Sequence, residues 1–289
     1  MQEVRFQPLP GLSVIRIVGA DAGAFLQGQL TADLRRLEPG LSTPAAWCSP
    51  QGRVIALMRV TPVPDGFLAV LPRELCGAVV ERLGRFVMRS RVRLADESSG
   101  LAVAGVSGRE SGSFERCDGV TALRLPVERD LLVASAGALR EALDGVPQAA
   151  DGDWDLACVG LGEPEVYVAT SEAWVPQLLN LDLLGAVSFQ KGCYPGQEIV
   201  ARTQHLGRIK RRLFRYRVAG KAPLPPGAAL CLDRAKVGEV VRFASRGGIR
   251  ELLAVVNLDA AGVGLTDETG ALTCSPEPLP YAVPEAGEA

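Results

Sequence analysis

The side chains best suited to chemistry in this sequence lie in Lys191-Gly192-Cys193-Tyr194-Pro195-Gly196-Gln197-Glu198. A thiol stands among glycines, with an ammonium two residues before it and a carboxylate five after. The thiolate is the nucleophilic form of cysteine, and a neighbouring cation or a helix N-terminus lowers its pKa from about 8.5. Both aids are present in the spacing. Gln197 to Arg202 reads as the start of a helix, and proline suits an opening turn because its missing N–H would be unpaired there. Cys193 then stands just ahead of the unpaired N–H groups and the positive end of the macrodipole. Cys193 and Lys191 are therefore the candidate catalytic pair. The competing reading of Cys193 is a small buried hydrophobe, the usual condition of a free cysteine.

The neighbours divide in the same way. Glu198 in a first helical turn is favoured by the dipole whether or not it has a function. Arg202, four residues on, is an intrahelical partner for Glu198 first and a ligand contact second. Tyr194 suits the edge of a core, with its hydroxyl as a polar handle. Gly192 and Gly196 permit tight turning or close backbone approach.

Elements must hold these groups in place. Leu12–Val18 has the apolar density of a strand, and Asp21 can cap a short helix running through Leu30, with a further helical turn from Thr31. Val54–Val63 and Phe67–Leu71 read as strands joined by a turn at Pro64-Asp65-Gly66. Glu74–Met88 places Leu75, Val79, Leu83 and Phe86 at helical spacing. Leu101–Val106 and Leu131–Ala134 are further strands, Ala136–Leu143 a helix, and Trp154–Leu161 a helix or buried segment. Gly105–Gly112 is glycine-rich but lacks Gly-Lys-Ser/Thr, so it reads as a flexible loop and not a phosphate cradle. Beyond Arg208 the rhythm changes. Short runs at Leu213–Val218, Ala229–Leu232, Val237–Ala244 and Leu252–Val256 are punctuated by Gly220, Pro225-Pro226-Gly227 and Gly247-Gly248, as in a small antiparallel barrel. A domain boundary near residue 206 and a frayed tail over Ala282–Ala289 follow.

Composition narrows the classes. The 289 residues are 47% hydrophobic and 22% charged, an ordinary globular balance with length for two or three domains. Seven cysteines, at 48, 76, 117, 158, 193, 231 and 274, are scattered, odd in number and form no CxxC pair. That argues against a disulfide framework or a protein-only zinc site and suits a reducing cytoplasm. His205 is the single histidine, so other general bases must be carboxylates, thiolates or lysines. Met1–Phe6 has no basic region leading into an apolar run, so a signal peptide is not expected. No stretch approaches the ~20 apolar residues that span a bilayer. A net charge of −2 offers no global attraction to nucleic acid. Arg208, Lys210, Arg211, Arg212, Arg215 and Arg217 do crowd together, and in a strand Arg208, Lys210 and Arg212 would share a solvated face. No RNA-reading motif accompanies them, and direct nucleic-acid binding is not expected.

The octapeptide, followed by Ala201-Arg202, resembles the signature of the YgfZ family, folate-binding proteins related to the T-protein (aminomethyltransferase) of the glycine cleavage system. Other blocks are similar to the family's and fall in family order along nearly the whole chain. They are Gly19-Ala20-Asp21-Ala22, Phe25 to Asp33, Ser49-Pro50-Gln51-Gly52-Arg53, Gly162-Glu163-Pro164, Gly207 to Arg212, Val237-Gly238-Glu239-Val240 and Leu279-Pro280-Tyr281.

The resemblance implies an α+β, aminomethyltransferase-like folate-binding fold. Two intertwined subdomains would occupy residues 1–206 and an antiparallel β-barrel 207–289, as three domains around a central channel. It implies tetrahydrofolate as cofactor, with Tyr194, Gln197, Glu198, Arg202 and Glu163 as binding residues. It also implies a cytoplasmic accessory, not bound to membranes, that supports assembly, maintenance or repair of iron–sulfur enzymes through Cys193. Its partners would be folate and client iron–sulfur proteins, tRNA-modifying ones among them. On that reading the basic run can attract an anionic partner, a polyglutamyl folate tail or tRNA held by a client enzyme. One thiol cannot complete a cluster's set of about four ligands, so a self-contained iron–sulfur protein is not expected.

Two departures qualify the alternative of a one-carbon transferase. In the aminomethyltransferase an aspartate pair follows the glycine turn, whereas Arg53-Val54-Ile55-Ala56-Leu57 follows it here; apolar side chains cannot stabilise a developing cation. Many relatives also carry an acidic residue in an Arg-Ile-Glu-Ala-Gly block. Cys158-Val159-Gly160-Leu161-Gly162 has glycine in its place, which weakens folate binding by roughly one or two decades or leaves the pterin to Glu163 or Glu198.

Overall fold

The computed structural model describes residues 3–108, 117–205 and 207–284. Two compact units alternate along the chain: Met1–Trp47, Ala56–Ala150 and Gln190–Tyr194 form one, and Cys48–Ile55, Asp151–Phe189 and Pro195–Ala289 the other.

The first unit is built mainly from β1 (Arg5–Pro8), β2 (Leu12–Val18), α1 (Ala22–Gln27), β3 (Thr43–Cys48), β4 (Val54–Val63), β5 (Gly66–Pro72), α2 (Arg73–Gly84), β6 (Arg93–Asp96), β7 (Ala102–Ser107), β8 (Thr121–Leu125), β9 (Arg129–Ala134) and α3 (Ala136–Ala142). They make a five-stranded sheet in the order β3-β4-β5-β2-β6 and a four-stranded sheet in the order β1-β7-β9-β8. In β2, which lies between β5 and β6, Val14, Ile15 and Ile17 are all buried. A strand covered on both faces has no polar alternation to show. Helix α2 lays Leu75, Cys76, Val79 and Leu83 against this sheet, each such burial contributing about 1.5–3 kcal/mol.

Three expectations are corrected here. Helix α2 ends at Gly84 instead of Met88, because Phe86 and Val87 donate to Leu83 and Gly84 in tight turns and Met88 takes a left-handed φ of 44°. Phe86 therefore leaves the buried face and is 48% exposed. Asp21 does not cap α1 with its side chain; its Oδ2 accepts from the Arg91 backbone N–H at 2.8 Å. After α1 the chain makes no helical turn from Thr31. Instead Thr31 N–H donates to Ala46 O, and Thr31 Oγ1 accepts from Ala46 N–H, each at 2.9 Å. The hydroxyl completes a local pairing with β3 next to the Leu30–Trp47 bridge.

The second unit contains α4 (Asp153–Gly160), α5 (Gln197–His205) and the strands β10 (Arg211–Ala219), β11 (Ala229–Leu232), β12 (Ala235–Arg246), β13 (Ile249–Asn257), β14 (Leu265–Asp267) and β15 (Thr273–Glu277). The strands close into an antiparallel barrel, β10-β13-β12-β11-β14-β15. Closure leaves no unpaired edge. Its interior is filled by Tyr216, Leu230, Val240, Leu252, Val256, Leu265 and Cys274, and the Tyr216 hydroxyl donates to Ala261 O at 2.9 Å.

The expected strand at Leu101–Val106 is β7, which runs on to Ser107 and so takes in the start of the expected Gly105–Gly112 loop. The rest of that loop from residue 109, the boundary position 206 and the tail from residue 285 lie outside the described residues. Among the described residues no helix is long and apolar enough to cross a membrane.

Candidate functional site

Three joints hold the segments that carry the candidate residues. The first is made by Lys191. Its side chain is buried, and Nζ donates to Leu30 O at 2.5 Å and to Ala32 O at 2.8 Å. The same ammonium stands 5.4 Å from the centre of the buried Tyr194 ring, a cation–π distance. Burial pushes the Lys191 pKa down to about 8, partly opposed by Asp33. The ammonium is thus still charged at neutral pH, and both hydrogen bonds run to backbone carbonyls. Leu30, bridged to Trp47 of β3, and Ala32 flank Thr31, whose backbone and hydroxyl are tied to Ala46.

The second joint is glycine against glycine. Gly196 has φ +80°, its carbonyl accepts from Val200 N–H at the start of α5, and a Cβ on it would come within 2.7 Å of Gly52 Cα. Gly52 itself has φ +71° and closes the turn in which its N–H donates to Ser49 O at 2.8 Å. Only glycine supplies both the left-handed backbone and the missing Cβ. Pro195 therefore precedes the helix boundary, and α5 opens at Gln197. The turn is tied to the segment around Glu172: Val54 N–H donates to Trp174 O at 2.8 Å and Ser171 Oγ to Ile55 O at 2.8 Å.

The third joint is a buried polar network assembled from separate segments of the chain. Arg212 pairs bidentately with Asp182, at 2.8 and 2.9 Å, with both side chains 4% exposed. It also donates to Gln177 O at 3.1 Å. Asn180 Nδ2 donates to Leu213 O at 3.0 Å, and the Tyr281 hydroxyl donates to Gly162 O at 2.9 Å. Gly162 has φ +68°, and a Cβ there would lie 2.6 Å from that hydroxyl. The expected solvated face of Arg208, Lys210 and Arg212 is thus corrected. Strand β10 begins at Arg211, Arg208 and Lys210 are exposed, and Arg212 points inward to a carboxylate. Arg215 likewise meets Glu251, and Arg217 meets Glu277 at 2.9 Å. Much of the basic run is neutralised within the protein.

Cys193 is exposed, whereas Cys48, Cys76, Cys158, Cys231 and Cys274 are buried and Cys117 is half-buried. Burial pushes the Cys48 thiol up to about 12 and the Cys76 and Cys274 thiols to about 11. Such thiols are protonated and sealed from solvent. The remaining candidates are scattered in environment. Glu198 and Arg202 are exposed on α5, Gln197 and Glu163 are half-buried, and Tyr194 is buried. No ion pair joins Glu198 to Arg202 among the described residues. Val54, Ile55, Ala56 and Leu57, at the register of the aspartate pair, are all buried in the core.

No family model matches the sequence. The structure superposes on glycine cleavage system aminomethyltransferase T from Bartonella henselae with a TM-score of 0.75, covering 99% of this chain and 88% of that one at 15% identity. At that identity the likeness establishes the fold. In sequence, the tRNA-modifying protein YgfZ of an Enterobacter species is 33% identical over 298 residues, 93% of this chain and 90% of its own. The chain belongs to the YgfZ family. YgfZ proteins of Cronobacter sakazakii and Sodalis glossinidius are 30% and 31% identical, over 93% and 94% of this chain and 91% and 92% of their own.

The joints show how this YgfZ chain uses its motif blocks. Lys191 of the octapeptide holds Leu30 and Ala32 of an N-terminal block. Gly196 of the octapeptide meets Gly52 of the second block. Gly162 of the Gly-Glu-Pro block meets Tyr281 of the terminal one. Sequence reasoning missed Arg212, Asp182, Asn180 and Tyr281 as a network. The only local trace was the Gln-Leu-Leu-Asn-Leu-Asp run at 177–182, polar groups set in an apolar stretch.

Proposed function

We propose that this protein is a folate-binding accessory factor that supports assembly, maintenance or repair of iron–sulfur enzymes, tRNA-modifying ones included, with Cys193 as its acting group. The observation that carries the reading is the contrast among seven thiols. One is exposed, in the peptide segment that Lys191 clamps, and the others are wholly or partly withdrawn from solvent. The relatives described as tRNA-modifying proteins support the link to tRNA modification. In this reading Lys191 anchors the segment and adds positive charge to it, while Cys193 engages the client or a sulfur species it carries. Free thiols throughout suit a cytoplasmic setting.

The donor set suits tetrahydrofolate, which would supply a one-carbon carrier when bound. Glu163 or Glu198 can accept from the N–H groups of the pterin edge, and Gln197 can both donate and accept. Arg202 can pair with a glutamyl carboxylate, and Tyr194 offers a ring edge. The division into a folate-binding module at 1–206 and a barrel at 207–289 belongs to the same reading. One-carbon transfer to a small molecule is the weaker alternative, because Val54 to Leu57 are buried apolar residues where carboxylates would be needed.

The test is complementation of a bacterial strain lacking its own family member, with wild type and Cys193→Ala at equal soluble expression. The readout is the nucleoside made by an iron–sulfur tRNA methylthiotransferase. Wild type is expected to restore it and the alanine variant to fail. Equal rescue by both would remove Cys193 from the function.

A further inference from the structure

The stretch from the last turn of α2 through the connecting turn to the first residue of β6 places Arg82, Arg85, Arg89, Arg91 and Arg93 within twelve residues, with no acidic residue between Glu81 and Asp96. All five arginines are exposed. Between them Phe86 is 48% exposed and Met88 89% exposed. The Phe86 ring is not loose: it stands edge-on to the buried Trp47 ring at 6.3 Å, and the Arg82 guanidinium lies 5.6 Å from the centre of that same Trp47 ring. Arg85 is answered by Glu81 and Arg91 by Asp21. Arg89 and Arg93 have no carboxylate within ion-pair reach among the described residues. This differs from the run at 208–217, where Arg212, Arg215 and Arg217 are matched to Asp182, Glu251 and Glu277.

We propose that the arginine-rich turn at residues 82–93 is a docking surface for RNA that carries unpaired bases. A guanidinium presents a planar fork that matches phosphate oxygens and stacks on bases, which an ammonium does not, and the turn holds arginine without lysine. An exposed ring set among such groups is the arrangement that binds single-stranded or loop RNA, with cations tracking the backbone and the ring taking an unstacked base. A lipid surface would be met by an amphipathic helix laying an apolar face in the interface; here the segment is a turn, and α2 turns its apolar face inward to the sheet. The whole chain carries a net charge of −2, so attraction is local to this turn and steeply dependent on salt. The surface does not involve Cys193, so it stands or falls apart from the accessory reading.

The test is fluorescence anisotropy of the full chain with a labelled, unmodified tRNA transcript, titrated at several salt concentrations. Wild type is expected to bind saturably, with affinity falling as salt rises. Arg89→Gln combined with Arg93→Gln should weaken binding about tenfold or more and flatten the log–log salt slope by about 1 to 2, the share of two phosphate contacts. Both positions are exposed, so the fold is kept. Arg208→Gln combined with Lys210→Gln, at other exposed basic positions, should bind as wild type. Phe86→Ala should lose several-fold in affinity with the salt slope unchanged, its folding checked by a thermal melt. Absence of saturable binding, an unaffected Arg89/Arg93 double variant, or tighter binding to phosphatidylserine vesicles than to the transcript would each overturn the assignment.

Discussion

Lys191 reaches back 161 residues along the chain to the carbonyl oxygen of Leu30, and its ammonium is shared with Ala32, 159 residues back. A buried cation with two carbonyl acceptors and an aromatic neighbour is a strong local constraint, because each acceptor would otherwise be left without a donor. The peptide segment holding Cys193 therefore starts from a fixed point.

Lys191→Met should cost about 1–3 kcal/mol of stability at pH 7, the penalty of leaving buried acceptors unsatisfied. Denaturant titration of the two proteins measures it. The pH dependence has a definite sign. The folded pKa of about 8 lies below the ordinary 10.5, so between those values the unfolded chain binds more protons than the folded one. Stability then rises with pH. The wild type should gain on Lys191→Met across that window; a difference that shrank with rising pH would contradict the assignment.

Arg212→Met should destabilise by about 3–5 kcal/mol, since it leaves the Asp182 carboxylate buried without its partner. Arg211→Gln, at the exposed start of β10, should stay within about 0.5 kcal/mol of wild type. Equal effects of the two substitutions would show that the basic run behaves as an undifferentiated surface patch.

Brief alkylation of the native protein with iodoacetamide should modify Cys193 first, read by peptide mass mapping. Cys117, half-buried, should follow more slowly, and Cys48, whose thiol burial pushes up to about 12, should react only on unfolding. Rapid labelling of several thiols would mean that the native fold does not seal them.

Gly196→Ala should lower stability by about 2 kcal/mol or more, combining a left-handed backbone with a methyl set against Gly52. Gly192→Ala, whose Cβ would meet nothing within 4 Å, should fold as wild type. Thermal melts of the pair separate the two glycines of one motif. Similar melting temperatures would refute the close approach.

The barrel was legible because its strands announce themselves by local alternation and by the glycines between them: Ala229–Leu232 is β11 as read, and β12 and β13 extend the expected runs by one to three residues at each end. Strands β14 and β15 were not read, being three and five residues long and interrupted by polar side chains. Helix α2 was legible up to Gly84 and then over-extended, since apolar spacing continued through Phe86 while the hydrogen bonds tightened into turns. In the candidate site, the exposed state of Cys193 is the feature that spacing alone left open against the buried alternative. Arg212 was assigned to the wrong face because its neighbours suggested a solvated stripe, and its partner lies in a separate segment.

What the sequence by itself determined is local. It set the strand periodicities, the positions where only glycine can turn the backbone, the family blocks in their order, and a thiol flanked by an ammonium and a carboxylate. These are properties of windows of a few residues, where side-chain direction and φ are decided by the neighbours alone. Only the tertiary structure decided which of seven chemically equal thiols faces water, which of six crowded basic residues is buried, and that Lys191 serves as a clamp. Burial and pairing depend on groups brought together from distant positions. No window holds both Lys191 and Leu30, or both Gly52 and Gly196, so their relationship exists only once the chain has folded.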